Sequence, residues 1–395
     1  QIAEEGIVLL QNKNNVLPIN TQQVKRVLVV GENAIKMMTV GGGSSSLKVQ
    51  REISPLEGLK VRLAKDGIEV DYARGYVGDV TGNYNGVTTG QNLDDKRSEA
   101  ELIAEAVEKA KTADYVIMFG GLNKSDFQDC EGHDRKQYEL PYNQDKLIEA
   151  LAMANRNFVY VNISGNAVAM PWKAKVAGIV QGWFIGSESG EALASILTGD
   201  ANPCGKLPFT WVNSLNEVGA HALNTYPGIW RKEGGASTNG NIIDEEYKEG
   251  IYVGYRWTDK ERIKPTFAFG HGFSYTQFEI SNLRSDKPQI TPDETITFTV
   301  NVKNTGKRAG SEVVQLYIHD AKSSVDRPKK ELKGFQKVYL QPGENRDVSI
   351  TVNKEALSFY DESSASWKAE AGKFEALVGN TSDNLKLKKV FELKK

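Results

Sequence analysis

The residues Asp129-Cys130-Glu131-Gly132-His133-Asp134-Arg135 gather four charged groups and a histidine around one glycine. They follow an apolar run, Tyr115-Val116-Ile117-Met118-Phe119, that reads as a strand. A charged loop at the carboxyl end of a strand is where open α/β sheets meet their ligands. Glu131, at the centre, is the candidate general acid/base. That role needs a carboxyl group whose proton is held near the working pH by partial burial or a nearby negative charge. Asp129 and Asp134 would raise its pKa, whereas Arg135 and a protonated His133 would lower it. Residue types alone leave the balance open. The competing reading is a solvated acidic loop, in keeping with a chain of which 25% is charged.

A second candidate is Gly41-Gly42-Gly43-Ser44-Ser45-Ser46. Its backbone amides could cradle a phosphate. Nine residues separate it from Gly31, however, so it is no G-x-G-x-x-G fingerprint hard on a strand. Alternatively, the glycines let the chain approach a sugar closely, with Ser44 donating a hydrogen bond. His133, His221, His271 and His319 are scattered, which speaks against a metal site. Gly186-Ser187-Glu188-Ser189-Gly190 is out of register with a G-x-S-x-G nucleophile elbow. Trp172, Trp183, Trp211 and Trp257 could be sugar platforms, although packing is the commoner use of tryptophan. Cys130 and Cys204 match no metal spacing, disulfide framework or CxxC site.

The elements that must position these residues are legible in the periodicity. A chain of 395 residues calls for two or three domains. Forty-nine basic against 51 acidic residues point to neither nucleic acid nor an anionic membrane, and no apolar run approaches a transmembrane length. The opening Gln1-Ile2-Ala3-Glu4-Glu5 reads as the middle of a helix, not a signal peptide, so residue 1 is expected not to be the natural start. A helix is expected from Ile2 to Leu10. Strands are expected at 26–30, 67–73, 115–119, 158–163 and 178–183, the continuous apolar ones suited to a sheet buried on both faces. Helices are expected near 54–59, at 99–112 with an apolar face of Leu102, Ile103, Ala106, Val107 and Ala110, at 144–156 and at 187–197. This alternation predicts βαβ units: an open, mostly parallel sheet sandwiched by helices over 1–215.

Residues 216–275 are rich in Tyr, Trp, Gly and Asn and show neither period clearly. They read as an ordered connection packed on the first domain, because free linkers lack aromatics. From 276 to 395 the period becomes 2, as in Thr295-Ile296-Thr297-Phe298-Thr299-Val300, and turns such as Asn304-Thr305-Gly306 intervene. About seven short strands in about 115 residues predict an all-β sandwich of immunoglobulin or fibronectin type III kind.

The motifs in order resemble glycoside hydrolase family 3. Glu4-Glu5-Gly6-Ile7-Val8-Leu9-Leu10-Gln11-Asn12 with Leu17-Pro18 is similar to the entry of that family's second domain. Glu131-Gly132-His133-Asp134-Arg135, then Glu139-Leu140-Pro141 and Gln144, resembles its acid/base loop. Asn202-Pro203-Cys204-Gly205-Lys206-Leu207-Pro208 resembles the end of that domain. Gly254-Tyr255-Arg256-Trp257 and Phe269-Gly270-His271-Gly272-Phe273-Ser274-Tyr275 resemble the run into the third. Glu312-Val313-Val314-Gln315-Leu316-Tyr317 and Leu332-Lys333-Gly334-Phe335 resemble its fibronectin type III-like domain.

The resemblance implies a retaining exo-acting β-glycosidase of β-glucosidase type, with two carboxylates about 5–5.5 Å apart. Glu131 would be the acid/base. Ser44 would reach the −1 sugar, and Asp134 and Arg135 would hold the loop. The aspartate nucleophile would sit on an N-terminal (β/α)8 barrel, which this chain is expected to lack, so the chain alone is expected to be inactive. Ser44-Ser45 stand where some members carry a tryptophan that clamps the +1 sugar. The resemblance implies no cofactor and no metal. It implies a β-glucoside or oligosaccharide substrate, the barrel as partner, room for a homodimer, and a periplasmic or secreted parent. A β-xylosidase of the same family and a non-catalytic carbohydrate-binding or scaffold module are the alternatives.

Overall fold

The computed structural model describes residues 1–39, 47, 49–78, 83, 84, 87–130, 134–230 and 243–395. Contacts divide the chain into two compact units, 1–206 with 272–275, and 207–271 with 276–395.

The first unit opens with α1 (Ile2–Gly6) and β1 (Val8–Asn12) and continues with β2 (Arg26–Val30), α2 (Pro55–Ala64) and β3 (Glu69–Ala73). A two-residue ribbon, β4 (Asn83–Tyr84) and β5 (Val87–Thr88), precedes α3 (Glu99–Thr112), β6 (Tyr115–Gly121), α4 (Gln144–Ala154), β7 (Phe158–Ile163), β8 (Gly178–Gln181) and α5 (Ser189–Thr198). The sheet order is β1-β8-β7-β6-β2-β3. All pairs are parallel except the edge pair β1–β8. This is the expected helix-covered, mostly parallel sheet.

Strand alternation sends Val27, Val29, Ile117, Phe119, Val159, Val161 and Val180 to one face. There they pack with Leu56, Leu59 and Leu63 of α2 and Leu193, Ile196 and Leu197 of α5. Leu28, Val30, Val116, Met118, Phe158 and Tyr160 point the other way and are equally buried. The apolar sides of α3 and α4 cover them.

The predicted helix over Ile2–Leu10 is corrected. It stops at Gly6, and Ile7, Val8, Leu9 and Leu10 are at most 1% exposed. A four-residue run buried on every side cannot sit on a surface helix. It enters the sheet instead, as β1 paired antiparallel with β8. The end of the unit converges on the same strand. The Phe273 amide donates to the Leu9 carbonyl at 2.8 Å, and the Ser274 hydroxyl donates to Asn202 Oδ1 at 2.8 Å. A Cβ on Gly205 would lie 2.5 Å from the Ile7 carbonyl oxygen. The glycine-bearing motifs around 205 and 272 are thus close-packing devices.

Helix α2 carries a capping box between Ser54 and Glu57 with Pro55 at its first position. It meets α5 at Gly58 and Gly190. A Cβ on Gly58 would lie 2.1 Å from the Gly190 carbonyl oxygen, and one on Gly190 would lie 2.1 Å from the Ser54 carbonyl oxygen.

The second unit begins with α6 (Gly219–Ala222), the ribbon β9 (Ile229–Trp230) and β10 (Ile243–Asp244), and α7 (Tyr255–Glu261). Its sandwich comprises β11 (Phe278–Ser285), β12 (Gln289–Ile290), β13 (Ile296–Asn304), β14 (Gly310–Asp320), β15 (Glu331–Leu340), β16 (Asn345–Val352), β19 (Gly372–Gly379) and β20 (Leu387–Leu393). Between β16 and β19 lie α8 (Lys354–Leu357) and a separate hairpin, β17 (Phe359–Asp361) and β18 (Ser366–Lys368). The two sheets run β11-β13-β16 and β12-β20-β19-β14-β15. Phe298, Val300, Leu316, Leu340, Phe374 and Phe391 are among the side chains between them.

Contacts group 207–271 with this sandwich, whereas the aromatic composition of 216–275 suggested a connection on the first domain ending near 215. The difference comes from what the aromatics find. The Tyr255 ring meets Phe269 at 5.2 Å and Tyr317 at 5.7 Å, and its hydroxyl accepts from the Leu332 amide at 2.9 Å. Lys330 pairs with Asp259 at 2.5 Å, and a backbone bridge joins Trp211 to Phe267. Composition identifies such a segment as ordered but not the surface it covers.

Gly58→Ala tests the helix contact in the first unit. Alanine is the better helix former by about 1 kcal/mol, but overpacking at this approach costs about 1–3 kcal/mol. A net loss of stability in chemical denaturation is expected. A stabilised variant would show that the helices separate freely.

Candidate functional site

Strands β2 and β6 are parallel neighbours, yet the chain leaves them in opposite directions. From β2 it passes through α2 to β3 on one side, and from β6 it passes through α4 to β7 on the other. Such a switch point opens a crevice at the carboxyl ends, where doubly wound sheets bind ligands. The loop after β2, residues 31–54, contains Ser44. The loop after β6, residues 122–143, contains Glu131. The two candidates, 87 positions apart, therefore depart from adjacent strand ends. Ser44 and Glu131, with Gly132 and His133, lie outside the described residues.

The strand exits are built on glycine. Gly31 has φ 110°, and a Cβ there would lie 2.1 Å from the Phe119 carbonyl oxygen of β6. Gly121 has φ 115°, and its Cβ would lie 2.2 Å from the Ile163 carbonyl oxygen of β7. Both positive φ and close approach select glycine. Beside Gly31, Glu32 is fully buried between two cations. Its Oε1 accepts from Lys36 Nζ at 2.9 Å and its Oε2 from Arg74 Nη2 at 2.7 Å. Its Oε2 also accepts from the Gly78 amide at 2.5 Å. One carboxylate thus ties the foot of the 31–54 loop to the end of β3. Asn33 Nδ2 reaches across to the Leu122 carbonyl at 3.0 Å, joining the two loops at their base.

Beneath the 122–143 loop lies a hydrogen-bonded polar cluster. Gln144 clasps Gly121 with both ends of its amide, donating to the carbonyl and accepting from the N–H, each at 2.8 Å. Asn162 Nδ2 donates to Gln181 Oε1 at 2.6 Å and to Ser164 Oγ at 2.7 Å. Gln181 Nε2 donates to the Ser164 carbonyl at 2.8 Å. Asn162, Ser164 and Gln181 are fully buried. Buried polar groups satisfied this fully hold a unique arrangement, and removing one strands its partners.

Asp129 and Arg135, on either side of residues 131–133 in the chain, rest on the loop after β7. Asp129 Oδ2 accepts from the Gly165 amide at 2.6 Å. Arg135 Nη1 donates to the Ala167 carbonyl at 2.9 Å. Burial pushes the Asp129 carboxyl above its ordinary range, against the pull of the Gly165 N–H, Arg135, Lys124 and Asn166. Burial likewise lowers Arg135, with Asp129 opposing, and lowers Lys124, whose ammonium sits 3.9 Å from the centre of the Phe184 ring. Asp134, the other residue expected to support the loop, is exposed. Sequence reading treated Asp129 only as an influence on a neighbouring pKa; its acceptor role depends on β7 lying next to β6.

The remaining candidates disperse. Trp172 is fully buried against Tyr160 and donates to Asp145 at 2.5 Å. Trp211 and Trp257 are buried in the second unit. Trp183 is half-buried beside the switch-point loops and donates to the Gly6 carbonyl at 2.9 Å. His221, His271 and His319 belong to the second unit. Ser187 and Ser189 make the turn into α5, where the Ser187 carbonyl accepts from the Ile53 amide at 2.8 Å. Neither Cys130 nor Cys204 is in a disulfide. Among the described residues no group of three or more His, Cys, Asp or Glu could hold a metal ion, and no helix is long and apolar enough to cross a membrane.

Comparison with known proteins bears on this arrangement. Residues 7–255 match the glycosyl hydrolase family 3 C-terminal domain, and residues 312–382 match the fibronectin type III-like domain. The chain belongs to glycosyl hydrolase family 3. A β-glucosidase of Bacteroides ovatus is 46% identical over 99% of this chain and 51% of its own length. A thermostable β-glucosidase of Acetivibrio thermocellus is 38% identical over 98% of this chain and 47% of its own. Among solved structures, the family 3 β-glucosidase of Bifidobacterium adolescentis superposes with TM-score 0.84 at 32% identity, covering 99% of this chain and 52% of that one. The Kluyveromyces marxianus β-glucosidase in complex with glucose superposes with TM-score 0.86 at 28% identity, over 100% and 61%. The chain spans about half the length of the curated relatives it matches.

Two measurements test the site's foundations. Glu32→Gln removes the carboxylate shared by Lys36 and Arg74. Breaking a buried pair from one side costs about 3–5 kcal/mol, so urea unfolding should show a loss of that order, and a near-neutral result would overturn the cluster's structural role. Asp129 titrates above its ordinary value, so the folded state favours its protonated form. Its contribution to stability is therefore fully present below the unfolded pKa and declines as pH rises through the folded one. The stability of the native protein relative to Asp129→Asn should fall as pH rises above the ordinary aspartate pKa of about 4. A difference that grows with pH would mean that the carboxylate's hydrogen bonds outweigh its burial.

Proposed function

We propose that this chain is the acid/base-bearing portion of a retaining β-glucosidase that removes terminal non-reducing β-D-glucosyl residues. The observation that carries the reading is the departure of the Glu131 loop and the Ser44 loop from neighbouring strand ends at a switch point, in a chain of this family. The β-glucosidase names of its relatives agree with it.

In the proposed reaction the Glu131 carboxyl gives its proton to the glycosidic oxygen as the C1–O bond breaks. An aspartate on a (β/α)8 barrel of the whole protein attacks C1 and forms the covalent glycosyl–enzyme. The Glu131 carboxylate then takes a proton from the water that attacks C1, and the aspartate leaves. Two carboxylates complete this cycle. Ser44 would donate to a hydroxyl of the −1 sugar. Glucosides and oligosaccharides outside the cell as substrates would favour a periplasmic or secreted parent.

Glu131→Gln in the whole enzyme is the test. An alkyl glucoside or cellobiose needs its leaving oxygen protonated, so kcat/KM should fall about 100- to 10,000-fold. 2,4-Dinitrophenyl β-glucoside, whose leaving group needs no proton, should keep most of its kcat/KM. Equal losses on both substrates would overturn the assignment. Turnover of an aryl β-glucoside by the 395-residue chain alone would overturn the placing of the nucleophile on a separate barrel.

A further inference from the structure

The approaches to the acid/base turn meet on one side chain. Asn166, just beyond β7, uses both ends of its amide: Nδ2 donates to Asp129 Oδ1 at 3.1 Å, and Oδ1 accepts from Arg135 Nη1 at 3.0 Å. Asp129 lies two residues before Glu131 and Arg135 four after it. Each has a second hold on the same short segment, Asp129 on the Gly165 amide and Arg135 on the Ala167 carbonyl. The segment itself is anchored from below. Ser164 Oγ donates to the Asn166 carbonyl at 2.7 Å and is held in turn by Asn162 and Gln181.

We infer that Asn166 is a positioning residue for the acid/base step: its amide ties the two stems of the Glu131 loop to each other and to the end of β7. This rests on the assignment of Glu131 above. The chemistry selects an amide. Asp129 presents a carboxylate, which needs a donor, and Arg135 presents a guanidinium, which needs an acceptor. Only a side chain with both, short enough to lie between them, serves each partner. Neither stem makes these bonds within its own loop, so their spacing is set by the neighbouring strand. A proton donor must lie within hydrogen-bond reach of the glycosidic oxygen, and an error of about 1 Å can cost about 100-fold in rate. Asp129 and Arg135 bracket Glu131 in the chain, so a change at Asn166 that shifts both is carried to the Glu131 carboxyl.

The experiment compares leaving groups in the whole enzyme. Asn166→Ala should lower kcat/KM on cellobiose about 10- to 100-fold more than on 2,4-dinitrophenyl β-glucoside, for which kcat and KM should fall together because Glu131 also serves the second step. A merely structural residue would lower kcat/KM on both substrates alike. The double variant Asp129→Asn with Asn166→Asp exchanges carboxylate and amide and can remake all four bonds, so it should recover most of the loss. Each single variant should not. Glu131→Gln, run alongside, separates the two claims. If it shows the leaving-group dependence and Asn166→Ala does not, the inference about Asn166 fails. If Glu131→Gln shows none, the assignment of Glu131 fails. A swap variant that folds, by circular dichroism and thermal melting, yet recovers nothing would also overturn the clip.

Discussion

The first unit is organised by one topological constraint: two parallel strands lie side by side while the chain leaves them in opposite directions. Parallel pairing puts every strand exit on one side of the sheet, and the reversal between β2 and β6 leaves a gap there that no crossover helix fills. The described feet of the two loops meet there, where Asn33 Nδ2 donates to the Leu122 carbonyl. Gly31 and Gly121 show how tightly the exits are drawn together, since either would drive a side chain into a neighbouring strand's carbonyl.

Charge and polarity near the gap follow from the same geometry. The carboxyl ends of a parallel sheet leave backbone groups that the ladder does not pair, and water is kept from them by the loops. Glu32, Gln144, Asn162, Ser164 and Gln181 occupy this layer, fully buried and hydrogen-bonded. A charge such as Glu32 is tolerable there because two cations meet it; alone it would be strongly destabilising. These residues turn loose loop ends into a firm base.

The two units solve the problem of close approach in the same way. Around β1 it is Gly205 and Gly272; in the second unit a Cβ on Gly270 would lie 2.5 Å from the Gln315 amide, and one on Gly306 would lie 2.1 Å from Thr276 Oγ1. The family motifs near 205, 270 and 305 thus record packing and not chemistry. That distinguishes them from Asp129 and Arg135, whose side chains hold the segment after β7.

The amino-acid sequence by itself determined the class of the fold. Continuous apolar runs alternating with amphipathic helices specify a buried parallel sheet, and the change to period 2 after residue 276 specifies a sandwich, because both periods are properties of the local backbone. Glu131 became the candidate acid/base through the order of motifs around it, since residue types alone fit a solvated loop equally well. The helical reading of Ile7–Leu10 failed because pairing with β8 overrides local propensity, and the surface covered by 207–271 stayed illegible because aromatics show burial without a partner. Asn166 was invisible for the same reason: a lone Asn after a strand is an ordinary turn residue. Only the tertiary structure, by setting β7 beside β6, places its amide between a carboxylate 37 residues away and a guanidinium 31 residues away.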